Sequence, residues 1–221
     1  RRRKVAMQAP KNGFFYVLDR ATGELISAEP YVAVTWATGV DPTTGRPIET
    51  EQSSYLEKAK LMLPGPQGGH NWQPMAFSPK TGLVYLPAHD TPFWYAKEGV
   101  FKVRPGTWNL GLDMDVVVER TETDTPVAKG QLIAWDPVAK QARWRVEHEG
   151  HWNGGTLSTA GGLVFHGLGN GVFRAYHDET GEVLWEVRSQ TGIIAAPISY
   201  ALGDEQYVAV ATGWGGGSIA G

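Results

Sequence analysis

A strand–turn–strand template recurs along this chain and limits its fold more than any other feature. Three copies occupy residues 13–27, 130–144 and 171–185. In each copy a polar turn separates two apolar runs, and Thr22-Gly23 and Thr180-Gly181 close two of these turns. Glycine accepts the positive φ that such turns need, and an Asp side chain can bind nearby backbone N–H groups there. The template therefore predicts β-hairpins.

A second hairpin template alternates with the first. Residues 71–77 and 83–86 are predicted strands on either side of the turn 78–82, and the pattern returns at 156–165 and 193–211. One hairpin of each kind makes a four-stranded sheet, and the two complete pairs span about 60 and 40 residues, as propeller blades do. No segment shows helical periodicity, which argues against a parallel α/β sheet. We predict an all-β fold of the β-propeller type.

The pattern accounts for only part of a propeller. It comprises the outer hairpin of one blade, two complete blades and the inner hairpin of another, whereas propellers close with about 4–8 blades. An open arc would expose strand edges and blade faces, which favours aggregation. We therefore expect residues 1–221 to form one domain that is a β-propeller fragment.

Two long stretches interrupt the repeat, at about 31–69 and 89–129. They are rich in Pro, Thr and Gly, and loops longer than about 12–15 residues commonly serve as lids or links. Because aromatic side chains favour burial, we expect those of the two stretches to pack over a propeller face. These side chains are Trp36, Phe93, Trp94, Tyr95 and Trp108.

Composition excludes several classes of function. The formal net charge of −3 gives no electrostatic footprint for nucleic acid, and the lack of cysteine excludes disulfides and thiolate metal sites. No apolar run approaches the ~20 residues of a membrane-spanning helix. The six histidines are scattered, and His148 and His151 have no nearby carboxylate to complete a zinc spacing, so we interpret all six as core or surface residues. No phosphate loop, dinucleotide fingerprint or nucleophile elbow is present.

Several segments resemble the quinoprotein alcohol dehydrogenases in order and spacing. The stretch Ala-Pro-Lys-Asn-Gly-Phe-Phe-Tyr-Val-Leu-Asp-Arg, followed by Thr-Gly, is similar to a hallmark of these enzymes. The two long loops match only loosely. The matching segments are residues 9–23, 68–75, 78–87, 152–156 and 213–216.

The resemblance implies a propeller that holds pyrroloquinoline quinone (PQQ) on its axis with a calcium ion, and of which this chain carries about three of eight four-stranded blades. The cofactor-binding positions fall on Lys11, Asn71, Trp72 and Trp214. Methanol dehydrogenases carry Arg where this chain has Lys11, so Lys11 favours the broader alcohol dehydrogenases. The family's catalytic Asp and calcium ligands lie upstream of the Lys11 motif. We therefore assign no catalytic base and no metal ligand in this chain.

The residue types suit that chemistry. A quinone that accepts a hydride becomes more negative on its oxygens, and a fixed ammonium such as Lys11 would stabilise the charge. Asn71 could bond a quinone oxygen or a carboxylate. Each residue also has a structural explanation: Lys11 as a surface lysine, Asn71 as a strand cap, Trp72 as blade packing and the glycines around Trp214 as a close backbone approach.

We interpret the intact protein as a periplasmic PQQ-dependent alcohol dehydrogenase that passes electrons to cytochrome c or a membrane quinone. Some relatives add a C-terminal cytochrome domain, so haem c is a further candidate cofactor. Two alternatives stay open. One is a PQQ dehydrogenase for sugars or polyols, and the other is a non-catalytic propeller scaffold of the outer-membrane assembly type. We expect neither tight quinone binding nor turnover from these 221 residues alone.

Overall fold

The computed structural model describes residues 3–215, which form mainly antiparallel strands. In chain order the strands are β1 Val5–Gln8, β2 Phe14–Asp19, β3 Leu25–Pro30, β4 Ala37–Val40, β5 Pro47–Glu49, β6 Lys60–Met62, β7 Ala76–Phe77, β8 Val84–Asp90, β9 Phe93–Tyr95, β10 Lys129–Asp136, β11 Gln141–His148, β12 Asn153–Ser158, β13 Leu163–Leu168, β14 Val172–His177, β15 Val183–Arg188, β16 Ile198–Leu202 and β17 Glu205–Ala209. A 3-10 turn, Glu51–Ser53, and a helix, α1 Met114–Asp124, complete the described regular structure. Within residues 3–215, no helix has the length and apolar character needed to cross a bilayer.

Internal contacts divide the chain into two compact units. The first unit contains the described residues up to Gly69 together with Asp90–Ala128. The second contains His70–His89 together with the described residues from Lys129 onward. The predicted long loops at 31–69 and 89–129 fall almost wholly within the first unit. The repeated hairpins at 130–144 and 171–185 belong to the second.

The first unit is organised around the three-stranded sheet β1-β2-β3, whose neighbours are antiparallel. Phe14 and Phe15 are adjacent on β2 and are both buried, as is Tyr31 just after β3. Because successive strand residues point to opposite faces, both faces of β2 are covered. The hairpin predicted at 13–27 is confirmed, and β1 adds a third strand to it.

The stretches predicted to be irregular contain more regular structure than expected. β4 pairs with β5, and β6 pairs with β9. One helix forms although no segment shows helical periodicity: α1 begins after Asp113, whose carboxylate accepts from the N–H of Val116 over 3.2 Å. Val117 is the helix's one buried residue. A helix that buries so little has no apolar stripe for a sequence pattern to show.

The aromatic side chains of these stretches have different surroundings. Trp36 meets Phe14 edge-on, with ring centroids 6.0 Å apart, and Tyr95 stacks on Tyr55 at 5.3 Å. Trp108 is 87% exposed in this chain, so the predicted burial is wrong for it. The loop that carries Trp108 is held by internal hydrogen bonds, because the side-chain amide of the neighbouring Asn109 donates to backbone carbonyl oxygens of the same loop. The loop conformation therefore does not depend on packing of the indole.

The second unit contains two four-stranded sheets, ordered β11-β10-β8-β7 and β12-β13-β14-β15, and the hairpin β16-β17. Both sheets are the predicted pairs of hairpins. Side chains from β8 and β10 meet side chains from β13 and β14 in one apolar cluster. The cluster consists of Leu83, Tyr85, Leu132, Ala134, Val164 and Tyr176, all of them buried. Burial of such side chains contributes about 1.5–3 kcal/mol each, which holds the two sheets together.

The repeated turn forms as its sequence predicts. The Asp136 carboxylate accepts from two backbone N–H groups, those of Val138 and Ala139, at 3.0 and 2.8 Å. These bonds, chiefly the one from Ala139, lower the pKa of Asp136. In the copy at 171–185, His177 replaces the aspartate and its Nδ1 accepts from the N–H of Glu179. These side chains are therefore structural parts of the blade turns.

One predicted strand is much shorter than expected. Residues 71–77 contain only the two-residue strand β7, and Asn71 and Trp72 lie in the loop before it. A side-chain hydrogen bond holds this loop in place of strand pairing: the buried side chain of Gln73 bonds to the backbone of Asn153. The segment therefore presents its residues as a loop rather than as a blade strand.

Candidate functional site

Lys11 lies in the turn between β1 and β2 of the first unit, and its side chain is solvent-exposed. The turn itself is rigidly held. The Asn12 carboxamide oxygen accepts from the N–H of Phe14, the Tyr31 hydroxyl donates to the carbonyl of Pro10 over 2.7 Å, and the Trp36 indole donates to the carbonyl of Asn12. A flexible lysine side chain is thus mounted on a backbone with little freedom.

A second segment of the same unit presses against Lys11. The lysine ammonium donates to the carbonyl of Pro66 over 3.0 Å, and the Lys11 carbonyl accepts from the N–H of Gly69. Gly68 adopts a φ of +82°, and a β-carbon there would lie 2.6 Å from Lys11 Cα, Cβ and Cγ. A glycine is therefore required at 68, both for the backbone conformation and for the space that Lys11 occupies.

The pair Asn71 and Trp72 lies in the second unit, with a buried side chain on each side. His70 donates from Nδ1 to the carbonyl of Pro87 over 2.7 Å, and the Gln73 amide donates to the carbonyl of Asn153 over 3.3 Å. Trp72 is 54% exposed. Its exposure argues against the blade-packing explanation, since a core tryptophan would be covered. The hydrogen bonds of His70 and Gln73 therefore fix the backbone on both sides of Asn71 and Trp72.

Trp214 also belongs to the second unit and is partly exposed. Its ring meets Trp152 edge-on, with centroids 6.4 Å apart and planes at 88°. It follows Gly213, whose N–H donates to the carbonyl of Gly192 over 2.7 Å. The last residues of its glycine-rich run, from Gly216 onward, lie outside the described residues.

Trp152 is a candidate site residue that sequence reasoning did not assign, although its motif was recognised. Its ring lies between His151, 5.1 Å away, and Trp214. Its indole N–H is buried and has no acceptor among the described residues. Trp152 directly precedes Asn153, which accepts from Gln73. These contacts bring the Asn71–Trp72 loop, Trp152 and Trp214 to one edge of the second unit.

Buried histidines line the same edge. His89 donates from Nδ1 to the carbonyl of His151 over 2.6 Å, and the rings of His148 and His166 lie 5.6 Å apart. Burial lowers the pKa of His89 and of His148 to about 4, although for His89 the hydrogen bond to the carbonyl of His151 opposes the shift. Burial also lowers the pKa of His151 and, most strongly, of His166. These imidazoles are therefore uncharged at neutral pH.

The four predicted cofactor-binding residues divide between the units. Lys11 lies in the first, and Asn71, Trp72 and Trp214 lie in the second. In the part of the chain that the structure describes, no three His, Asp or Glu side chains come close enough together to hold a metal ion. The first unit thus offers one cation as a ligand contact, and the second unit offers one amide and several aromatic rings.

The chain is similar to known proteins in sequence. Residues 114–208 match the family described as "Glucose/ethanol/alcohol dehydrogenase, beta-propeller domain". Over 214 residues the chain is 50% identical to the quinohemoprotein alcohol dehydrogenase ADH IIB of Pseudomonas putida, covering 97% of this chain and 31% of that protein. It is 49% identical to the dehydrogenase subunit of the alcohol dehydrogenase (quinone) of Komagataeibacter europaeus, covering 97% of this chain and 30% of that subunit.

A solved structure has the same fold. The quinohemoprotein alcohol dehydrogenase of Comamonas testosteroni superposes with a TM-score of 0.86 at 44% identity, covering 96% of this chain and 32% of that one. The predicted all-β fold, part of a β-propeller, is thereby confirmed. The chain spans about a third of the length of the relatives that it matches. In sequence and in fold, the chain is therefore similar to about a third of the length of the quinohemoprotein alcohol dehydrogenases, and residues 114–208 match their propeller-domain family.

Proposed function

We propose that the protein of which this chain is a part oxidises alcohols to aldehydes or ketones, with PQQ as the hydride acceptor. One observation carries the proposal: Lys11 places an exposed ammonium on a turn that Gly68, Gly69 and Pro66 hold from the other side. Blade packing does not need a lysine in that place. A redox cofactor that gains negative charge does.

The residues present fit such a cofactor. PQQ is planar and carries carboxylates, and when bound it would supply the electrophilic carbonyl that takes a hydride from the alcohol carbon. The Lys11 ammonium would exchange its bond to the carbonyl of Pro66 for one to a quinone oxygen and so stabilise the charge that develops. Trp152 has a buried indole N–H ready to donate, and Asn71 would orient the ligand. Trp72 and Trp214 would cover its ring.

The remaining cofactors and partners follow from the family. We propose that a calcium ion is held by residues outside these 221, since the family's ligands lie upstream of the Lys11 motif. The names "quinohemoprotein" and "alcohol dehydrogenase (quinone)" of the two relatives support haem c as a further cofactor and a membrane quinone as electron acceptor. Cytochrome c is the other acceptor that we propose, and the periplasm is the proposed location.

Two rival functions make different demands on the same residues. A non-catalytic scaffold needs the blade turns but has no use for an exposed Lys11 or an exposed Trp72. A sugar dehydrogenase would use the same cofactor contacts, and the matching family description includes glucose. Relatives of about half identity over nearly the whole chain carry alcohol dehydrogenase names, which favours alcohols.

Reconstitution tests the proposal directly. The full-length protein is loaded with PQQ and calcium, and reduction of an artificial dye is followed with ethanol, glucose and glycerol as separate substrates. We expect turnover with ethanol above that with either polyol. Turnover with glucose alone would support the sugar dehydrogenase, and a protein that neither binds PQQ nor reduces dye with any of the three would contradict enzymatic function.

A further inference from the structure

The indole of Trp214 packs directly on the backbone of two glycines in the second unit. A β-carbon placed on Gly192 would lie 2.8 Å from Trp214 Cε2, and one on Gly169 would lie 3.1 Å from Trp214 Cη2. Neither glycine is among those with positive φ. Their backbone conformation is therefore open to any residue, and glycine is required for space: for the Trp214 ring at both positions, and also for Trp152 at Gly169 and for the carbonyl oxygen of Gly169 at Gly192.

Gly169 also contacts Trp152. A β-carbon there would lie 2.8 Å from Trp152 Cβ, and the Gly169 N–H donates to the carbonyl of Trp152 over 2.8 Å. Gly192 is fixed from the other side, since its carbonyl accepts from the N–H of Gly213. The two glycines and their hydrogen bonds thus form a seat that holds one tryptophan at a right angle to the other.

Close packing alone does not explain this seat. At other glycines of the unit, such as Gly154 and Gly167, an added β-carbon would meet backbone or aliphatic atoms of Ile193 and Ala195, as expected between packed sheets. At Gly169 and Gly192 the neighbours also include, besides such atoms, an aromatic ring that remains 38% exposed. A ring buried for stability would be covered on both sides. Here one part of the ring is fixed against backbone while another part faces outward.

We propose that Gly169 and Gly192 are positioning residues that orient the Trp214 ring towards the planar cofactor. This inference rests on the proposed function, because Trp214 is the cofactor contact through which the two glycines act. An added methyl group at either position displaces the ring, and displacements of about 1 Å in a binding site are enough to weaken a contact strongly.

The first test reads the ring position without any cofactor. The full-length protein is labelled with 5-fluorotryptophan, and the fluorine resonance of Trp214 is identified as the one that Trp214→Phe removes. We expect Gly169→Ala and Gly192→Ala each to shift that resonance by more than its line width. Gly161→Ala is the matched control, because Gly161 has no positive φ and its nearest neighbour is 3.8 Å away. A resonance that stays in place in both variants overturns the proposal.

The second test measures PQQ affinity by quenching of tryptophan fluorescence. We expect about ten-fold weaker binding in Gly169→Ala and Gly192→Ala, and parent-like binding in Gly161→Ala. If the resonance moves but the affinity stays within two-fold of the parent, the positioning role is refuted. If the parent itself does not bind PQQ, the proposed function fails, while the fluorine experiment still decides whether the glycines seat the ring.

A glycine variant that does not fold is replaced by a double variant. Trp214→Phe removes the indole atoms Cε2 and Cζ2 near the β-carbon position of Gly192 and leaves the carbonyl oxygen of Gly169 there, so Gly192→Ala with Trp214→Phe relieves the ring contact. We expect it to bind PQQ as Trp214→Phe does, because the added methyl no longer has a ring to displace. A further ten-fold loss in the double variant, relative to Trp214→Phe, overturns the proposal, since Gly192 would then act by another route.

Discussion

Trp144 donates its indole N–H to the backbone carbonyl of Asp178 over 3.0 Å, and this bond joins the two four-stranded sheets of the second unit. Trp144 lies on the edge strand β11, whereas Asp178 directly follows β14. The same indole covers Gly181, where a β-carbon would lie 2.7 Å from Trp144 Cε3. The tryptophan of one copy of the repeat therefore docks on the turn of the next copy.

This contact predicts that Gly181→Ala is unusually destabilising. Gly181 has a φ of +74°, so alanine there costs about 1 kcal/mol of backbone strain. The clash with Trp144 adds about 1–3 kcal/mol. Gly82 has nearly the same φ, +73°, and nothing within 4 Å of its β-carbon position, so Gly82→Ala should cost the strain alone. Hydrogen exchange of peptides from the two turns in the full-length protein measures both losses, and equal losses would refute the docking contact.

Lys11→Ala tests the proposed electrostatic role. Loss of one charged donor at a site of developing negative charge lowers turnover by about 10²–10³-fold. We expect kcat to fall by that factor with dye and ethanol, and Lys11→Arg to keep part of the activity because the charge remains. The fold should persist, since the backbone of Lys11, not its ammonium, bonds to Gly69. Lys4→Ala, at an exposed lysine of the same unit, is the control and should leave kcat unchanged.

The repeat predicted the hairpins well because their turns are local. A glycine with positive φ and an acceptor such as Asp136 need only neighbouring backbone to form their contacts. Burial is not local. Trp144 and Trp185 occupy the same place in the template, yet Trp144 docks on Gly181 and Trp185 is 49% exposed. Which sheet covers an edge strand depends on distant chain, and the template does not contain that information.

The candidate site shows the same limit. The resemblance marked Trp72 and Trp214 by position, but nothing in the sequence indicated that Trp214 and Trp152 meet edge-on. The spacing of 62 residues that separates them carries no periodic signal. Contacts between rings from separate loops become visible when the sheets that carry those loops are placed side by side.

Gly68→Ala should weaken PQQ binding without removing any charge. The added methyl group would overlap Lys11 at 2.6 Å, and φ at Gly68 is +82°. The Lys11 turn must then shift, so we expect about ten-fold weaker PQQ binding, measured by fluorescence quenching. Gly45→Ala adds the same strain at a φ of +68° with nothing within 4 Å, and it should leave affinity unchanged. Equal PQQ affinities for the two variants would contradict this prediction, because cofactor binding would then not depend on the position of Lys11.

The buried histidines make the second unit sensitive to acid. The pKa of His89 and of His148 is about 4 in the fold, below the value of about 6.5 in an unfolded chain. Between these values the unfolded chain binds more protons, so protonation favours unfolding. Stability is therefore full above about pH 6.5, falls by up to about 1.4 kcal/mol per pH unit for each imidazole, and stops falling below about pH 4.

His148→Gln should reduce that dependence, because an uncharged amide has no proton to gain. We expect the unfolding midpoint of the full-length variant to fall less than that of the parent between pH 7.5 and 4.5, by about the share of one imidazole. His177→Gln is the control, since the His177 side chain is 42% exposed and lies in a turn. Parallel pH profiles for parent and His148→Gln would show that burial of this ring does not set the acid sensitivity. The desolvation that lowers the pKa of His148 would then have to be relieved by water reaching the ring.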